Sequence, residues 1–190
     1  MGFRWRRPCY GDERVIIRKT TASDLDEVCL IYADARDFMR ESGNPDQWRG
    51  SHPRRETIED DIADGHSYVC VREGAIAAVF YFNIEFDPTY GRIDGQWLND
   101  KPYGVVHRIA RAGSAAGKGA GAFCIEWCLD RCGNLRIDTH RDNAHMIGLL
   151  EKLGFSYCGI IWLEDGDERR AFQKSDAKDA VARGGKGGHT

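Results

Sequence analysis

At 190 residues, 42% hydrophobic and 30% charged, the chain has room for one domain with a real core and the balance of an ordinary globular protein. Its net charge of −3 speaks against a dedicated nucleic-acid binder, which presents a strongly basic face. No apolar run approaches the roughly 18–20 residues of a membrane span, so neither nucleic acid nor a membrane is expected as a partner.

The opening "MGFRWRRPCYGDER" is basic through Arg4, Arg6 and Arg7 but leads into no apolar stretch. It reads as a flexible leader over residues 1–13 rather than a secretory signal. "RVIIRKT" is a strand by its β-branched run. In "SDLDEVCLIYADARDFMRESG", Leu25, Val28, Cys29, Tyr32, Ala35 and Met39 recur at helical spacing. Ser23 is the expected N-cap of that helix and Gly43 its stop. "NPDQW" is a turn. "PRRETIEDDIADG" predicts a short helix with Pro53 in its first turn and Gly65 at its end. "SYVCVRE" and "AIAAVFYFNIEF" are strands joined by the hairpin signal Glu73-Gly74. "DPTYGRIDGQWLNDKPYG" is a long loop carrying Tyr90, Trp97 and Tyr103, and loops of that length in compact domains are often functional.

"VVHRIAR" is a strand. "RAGSAAGKGAGAFCIEWC" then passes from small residues into a helix from about Gly119 to Cys132. "LRIDTH" is a strand, "NAHMIGLLEKLG" a helix, and "YCGIIWL" and "RRAFQK" are strands either side of the turn Glu164-Asp165-Gly166-Asp167. Residues 174–190 lack an apolar stripe and read as a disordered tail. The order β α α β β β α β α β β describes a single α/β domain over residues 14–173. Tight turns make the early strands antiparallel, and the strand–helix–strand units around Gly119 and Asn143 should add parallel pairing.

Seven cysteines without an export signal suggest reduced thiols and a cytoplasmic location. Cys124, Cys128 and Cys132 share one helical stripe, as metal ligands could. No His or Cys neighbour completes a tetrahedral set, and Ala120, Phe123 and Trp127 crowd the same helix, so packing explains them and no metal is expected.

The glycine-rich stretch was tested as a phosphate site. A nucleotide-triphosphate loop, G-x-x-x-x-G-K-[ST], fails at Ala112 and at Gly119, where the Mg²⁺-binding hydroxyl would sit. A G-x-G-x-x-G pattern fails at Ala122. Small residues opening a helix still let backbone N–H groups and the helix dipole favour an anion. Read this way, "AGKGAG", Ala116 to Gly121, resembles the phosphate arm of the GCN5-related N-acetyltransferase (GNAT) superfamily, R/Q-x-x-G-x-G/A. Gly119 and Gly121 match, and Ala116 replaces the usual Arg or Gln. "NAHMIGLLEKLGF", Asn143 to Phe155, is similar to the family's N-x-x-A-x-x-L-Y-x-x-x-G-F segment through Asn143, Leu149, Gly154 and Phe155. The strand and helix order agrees over roughly residues 14–173.

The resemblance implies an α/β (α+β) fold: a central, mixed, mostly antiparallel sheet with helices on both faces. It implies acetyl-CoA as co-substrate, with the pyrophosphate on the amides of Gly117, Lys118, Gly119, Ala120 and Gly121 beside Ala116. Pantetheine would lie along Ile109, Ala110 and Arg111, and Asn143 would touch the cofactor. The implied reaction is acetyl transfer to a primary amine of a small molecule or peptide. The alternative is a non-catalytic acyl-CoA-binding sensor or scaffold. Oligomeric state, a homodimer included, is left open.

Asp138, five residues before Asn143, is the first candidate base, since some relatives resembling ribosomal-protein N-acetyltransferases carry a glutamate there. His107 is the second. Strand alternation places Val105, His107, Ile109 and Arg111 on one face and Val106, Arg108 and Ala110 on the other. His107 and Arg108 in a central strand need polar partners, with Asp138 or Glu85 expected for His107. His140 is a third candidate. The family's acidic tyrosine falls at Leu150, so Tyr157 or Cys158 would have to replace it. Trp48, Glu85, Tyr90 and Trp97 are expected to meet the acceptor, and Asp87 and Asp94 to attract its positive charge.

Overall fold

The computed structural model describes residues 15–176. The basic leader over residues 1–13, and the expected tail beyond Asp176, lie outside the described residues. In chain order the elements are β1 (Val15–Lys19), α1 (Leu25–Glu41), α2 (Arg55–Ala63), β2 (Ser67–Arg72), β3 (Ala75–Ile84), β4 (Asp94–Gly95), β5 (Gly104–Arg111), α3 (Ala120–Cys132), β6 (Asn134–Thr139), α4 (Ala144–Lys152), β7 (Ser156–Trp162) and β8 (Glu168–Ser175). Only the short β4 lacks a counterpart among the predicted elements. Ser175, placed in the tail by the sequence, continues β8 opposite Asn134, after Lys174 opposite Leu135.

Local chemistry moves some boundaries. Ser23 does not cap α1. Residues Ala22–Asp24 form a 3-10 turn, and the Asp24 carboxylate accepts from the Thr21 N–H at 2.8 Å and from Arg18 at 2.6 Å. A carboxylate held by a guanidinium is a stronger acceptor than the Ser23 hydroxyl, which meets only the Thr21 hydroxyl. Pro53 precedes Arg54, the N-cap of α2, and so lies outside its first turn.

The eight strands form one sheet in the order β1-β2-β3-β5-β6-β8-β7-β4. Its pairs are antiparallel except β5 with β6. The first strand–helix–strand unit therefore gives the expected parallel pair. The second does not, because β8 returns from β7 through a tight turn and inserts between β7 and β6.

Alternation along the central strands sorts the core onto two faces. Cys70, Ala78, Phe80 and Phe82 pack with Cys124, Cys128 and Leu150 of α3 and α4. Val69, Val71 and Val79 pack with Val28 of α1 and Ile58 of α2. Burying a side chain of this kind stabilises by roughly 1.5–3 kcal/mol, and the Cys124–Cys128 stripe belongs to this packing. A third cluster, built on Tyr90, Tyr103, Val105 and Ile161, anchors the long loop before β5.

Two of the sheet's irregularities lie on β5. First, Val79 pairs with Ala110 and Tyr81 with His107, so Arg108 and Ile109 together oppose Phe80. This is a β-bulge, and Arg108 sits in it at φ 50°. The bulge breaks the expected alternation. His107 and Arg108 lie on the same side, with the His107 ring 5.7 Å from the Tyr81 ring and the Arg108 guanidinium 4.8 Å from it. Arg108 is held there by two bonds to Asp61, at 2.8 and 3.0 Å. Secondly, β5 and β6 pair only at Gly104–Leu135 and Val105–Arg136. Beyond Val105 the strands part, while β5 stays on β3 and β6 on β8.

The long loop is fastened where β4 crosses β7. A Cβ on Gly95 would lie 2.1 Å from the Cys158 carbonyl oxygen, and one on Gly159 would lie 2.2 Å from that of Asp94. Both positions are therefore restricted to glycine by backbone against backbone.

Candidate functional site

A cleft of about 650 Å³ opens where β5 and β6 part. One end is lined by Gly113 and Gly121, which bracket the glycine-rich loop; the other is walled by residues 46–49 and the β7–β8 turn.

At the first end, residues Ala115–Gly117 form a 3-10 turn in which the amides of Gly117 and Lys118 donate to Ser114 and Ala115, both at 3.1 Å. Two of the five amides expected to hold a pyrophosphate are thus engaged within the loop. Those of Ala120, Gly121 and Ala122, in the first turn of α3, have no carbonyl one turn back to receive them. The helix dipole adds a partial positive charge at the same place, and Lys118 is exposed beside it. Gly117 is packed so tightly that a Cβ would fall 2.0 Å from the Ala112 oxygen. The buried Arg72 donates to the carbonyls of Ala116 at 3.0 Å and Lys118 at 2.9 Å, fixing the loop from β2. No local signal marks Arg72, since its partners lie more than forty residues along the chain. Ala116 packs against the α3 side of the core. Ile109, Ala110 and Arg111 line the cleft where β5 has left β6.

The chemistry-bearing residues gather in the middle. His107 Nε2 is 2.9 Å from Asp87 Oδ2, and His107 Nδ1 is 3.8 Å from Asp138 Oδ1. Asp138 Oδ1 accepts from the Tyr90 hydroxyl at 2.8 Å, and Arg169 Nε stands 4.0 Å from Oδ2. Burial works against the charge on Asp87, yet the hydrogen bonds from His107 and from Thr89 hold its carboxyl down at about 2. Burial, with Asp138 alongside, pushes the Tyr90 phenol well above its ordinary range, so it remains a donor. Asp87 can then only accept, so His107 Nε2 carries a proton and donates to it, while Nδ1 faces Asp138.

Asp87 also carries a stability prediction. Its carboxyl is lowered from an ordinary 3.8 to about 2. The contribution is complete above about pH 4 and is lost as pH falls towards 2. It amounts to about 2 kcal/mol. Denaturant unfolding of the native protein and the Asp87→Asn variant should therefore differ most near neutrality, the gap closing by about that amount in acid.

The other expected residues are placed as follows. Trp48 lines the cleft and meets Tyr32 edge-on at 5.7 Å. Asn143 lines it too, but its carboxamide oxygen caps α4 by accepting from the Met146 N–H at 3.1 Å. Tyr90 is buried, and Trp97 donates to its carbonyl at 3.1 Å and lies under Arg136. Both are part of the scaffold behind the cleft. Glu85 does not reach His107; it accepts from Tyr81 at 2.7 Å and Asn83 at 2.8 Å. The chain turns after β3, and Asp87 takes the place expected of Glu85. His140 is buried at the end of β6, accepting from the Asp142 N–H at 3.3 Å, and is not on the cleft wall. Leu150 is fully buried, Tyr157 is exposed against Phe172, and Cys158 is buried, all away from the cleft.

Sequence reasoning missed His52, which lines the cleft and whose imidazole is pushed down by burial and by Arg108 and Arg169. It also missed Gln47, treated below. Among the described residues no group of three His, Cys, Asp or Glu side chains could hold a metal ion, and no helix is long and apolar enough to cross a membrane.

The sequence matches the model of the Acetyltransferase (GNAT) family over residues 30–155. Among solved structures the chain is similar to an acetyltransferase of the GNAT family from Streptococcus agalactiae, with 31% identity and a TM-score of 0.79, over 85% of this chain and 95% of that one. It shares its fold with a GNAT-family acetyltransferase from Bacillus cereus, at 16% identity and a TM-score of 0.61, over 86% of this chain and 98% of that one. The ribosomal-protein-alanine N-acetyltransferase from Brucella melitensis has the same fold at 22% identity and a TM-score of 0.56, over 84% of this chain and 99% of that one. No functionally curated protein matches the sequence significantly.

Proposed function

The chain belongs to the GNAT acetyltransferase family, and from that premise we propose that it transfers the acetyl group of acetyl-CoA to a primary amine of a small molecule or peptide. The observation that carries this reading is the parting of β5 from β6 beside the open first turn of α3, with His107 and Asp138 in the gap.

The residues present suit such a co-substrate. Backbone groups of Ile109, Ala110 and Arg111, freed from β6, can pair with an extended chain of amides as an added strand would. The amides of Gly119, Ala120 and Gly121, with Lys118, can hold a pyrophosphate at the helix N-terminus. When bound, acetyl-CoA supplies an acetyl group activated as a thioester.

An alkyl amine arrives protonated. The Asp138 carboxylate attracts the ammonium group, and His107 Nδ1 accepts its proton, with Nε2 anchored on Asp87. Tyr90 occupies Asp138 Oδ1, while Arg169 comes no nearer to Oδ2 than 4.0 Å, beyond hydrogen-bond distance, so Oδ2 keeps acceptor capacity for the amine. A base positioned in this way adds ~10²–10⁴-fold to the rate. No tyrosine lines the cleft among the described residues, so the departing thiolate is stabilised by solvent in the open cleft.

Calorimetric titration with acetyl-CoA is expected to show one-site binding, and thiol release should follow on adding primary amines. Absence of binding overturns the proposal. Binding without thiol release across a broad amine panel would instead favour an acyl-CoA sensor of the same fold.

A further inference from the structure

Gln47 comes from the polar turn "NPDQW" and ties three parts of the cleft together. Its Oε1 receives Asn143 Nδ2 at 2.8 Å, Asn44 Nδ2 at 2.9 Å and the Thr139 hydroxyl at 3.3 Å. The orientation of this carboxamide is determined by a chain of roles. The Met146 N–H can only donate, so the Asn143 atom that caps α4 is its oxygen. Asn143 must then offer its nitrogen to Gln47, and the atom receiving it must be Gln47 Oε1. Gln47 Nε2 therefore points away from these donors. No protein group among the described residues accepts its two protons. Nor is Nε2 among the buried orphaned polar atoms. It is solvent-accessible, on a residue that lines the cleft.

A fixed amide N–H₂ without a protein acceptor is a site for an oxygen on a ligand. The charges nearby select which oxygen. Arg49 is paired with Asp46 at 3.2 Å, and Arg169 with Asp167 at 2.6 Å. The neighbouring cations are thus already paired, Arg169 spending a further N–H on the Gln47 carbonyl at 3.4 Å, and Asp138 adds negative charge to the same cleft. A carboxylate is disfavoured there and a neutral carbonyl is suited. Building on the acetyl-transfer reading above, we propose that Gln47 Nε2 donates to a carbonyl oxygen next to the reacting amine, carried either by the acceptor or by the acetyl thioester.

Gln47→Glu tests this sharply, because it keeps an oxygen for Asn143, Asn44 and Thr139 and replaces the two donors by a charged oxygen. Gln47→Met removes the donors without adding charge, at the cost of the three inbound bonds, so it is read only beside Gln47→Glu. In the first arm, acetyl-CoA and CoA are titrated calorimetrically into each protein. A thioester contact predicts that the preference for acetyl-CoA over CoA falls about 5- to 20-fold in both variants. In the second arm, L-alaninamide is compared with isopropylamine, which lacks the carbonyl. An acceptor contact predicts that kcat/KM for alaninamide falls by the same factor relative to isopropylamine, through KM, with the CoA arm unmoved. Ratios unchanged in the CoA arm, with the acceptor arm unchanged or silent, overturn the proposal. A wild-type protein that binds neither CoA nor acetyl-CoA would instead refute the acetyl-transfer reading itself. Thermal unfolding of Gln47→Glu at the wild-type temperature shows that the inbound bonds survive.

Discussion

Asp138→Asn lowers kcat for amine acetylation by roughly 10²–10⁴-fold while acetyl-CoA affinity is unchanged. Asparagine has the same shape, and its oxygen can still accept from the buried Tyr90 hydroxyl, so the scaffold behind the cleft persists. What disappears is the negative charge that draws in the ammonium group. With that oxygen kept on Tyr90, the new NH2 takes the place of Oδ2, so the atom turned to the ammonium group becomes a donor instead of an acceptor. Steady-state thiol release, read beside calorimetric acetyl-CoA binding, separates the two effects. An unchanged kcat would show that Asp138 serves only to hold Tyr90 and Arg169. The Asp87→Asn variant probes the His107 ring, because an amide placed on Nε2 allows the other tautomer.

Gly117→Val abolishes acetyl-CoA binding and destabilises the fold by about 1–3 kcal/mol. The obstacle is backbone, with the Ala112 oxygen 2.0 Å and its carbonyl carbon 3.0 Å from the new Cβ. A flexible side chain could move aside; a carbonyl at the end of β5 cannot do so without pulling on the sheet. The loop must therefore lift away from Arg72, which holds the carbonyls on either side of Gly117. Gly121→Ala is the control. Its Cβ would meet Leu149 at 3.6 Å, an ordinary contact, so binding and stability should be retained. Urea unfolding and calorimetry on both variants decide the matter, and a Gly117→Val protein that binds normally would remove the loop from the site.

The contrast between these positions shows what was legible in the sequence. Hydrophobic period identified the helices and the main strands, because each buries one face and the pattern is local. The glycine-rich loop was legible for the same reason, since its small residues stand together just before an amphipathic helix. The bulge at Arg108 was not legible. Its backbone is stabilised by Asp61 and Tyr81, which lie 47 and 27 residues away in sequence, and strict alternation sent His107 and Arg108 to opposite faces. The same holds for the insertion of β8 between β6 and β7, a choice among pairings of similar local propensity. Within the site, Asp138 was legible through the family resemblance, five residues before Asn143, and His107 because a charged pair in a central strand is costly to bury. Asp87 was harder to assign. Glu85 is equally acidic and only two residues earlier in the chain, and the turn after β3 decides which carboxylate meets the imidazole. Gln47 carried no signal, since a glutamine in a turn is ordinary until Asn143 and Thr139 are brought to it by the fold.

The crossing of Gly95 over Gly159 has a consequence for how this protein can diverge. Each glycine blocks a side chain on itself through the other strand's backbone, so neither can be replaced first and compensated later by the other. The segment between Asp87 and Gly95, which supplies the imidazole's partner and the buried phenol, is inherited as one unit with β7. Under the proposed function, a change of acceptor is therefore expected on the opposite bank of the cleft, where Gln47 and Trp48 sit on a turn with no such reciprocal constraint.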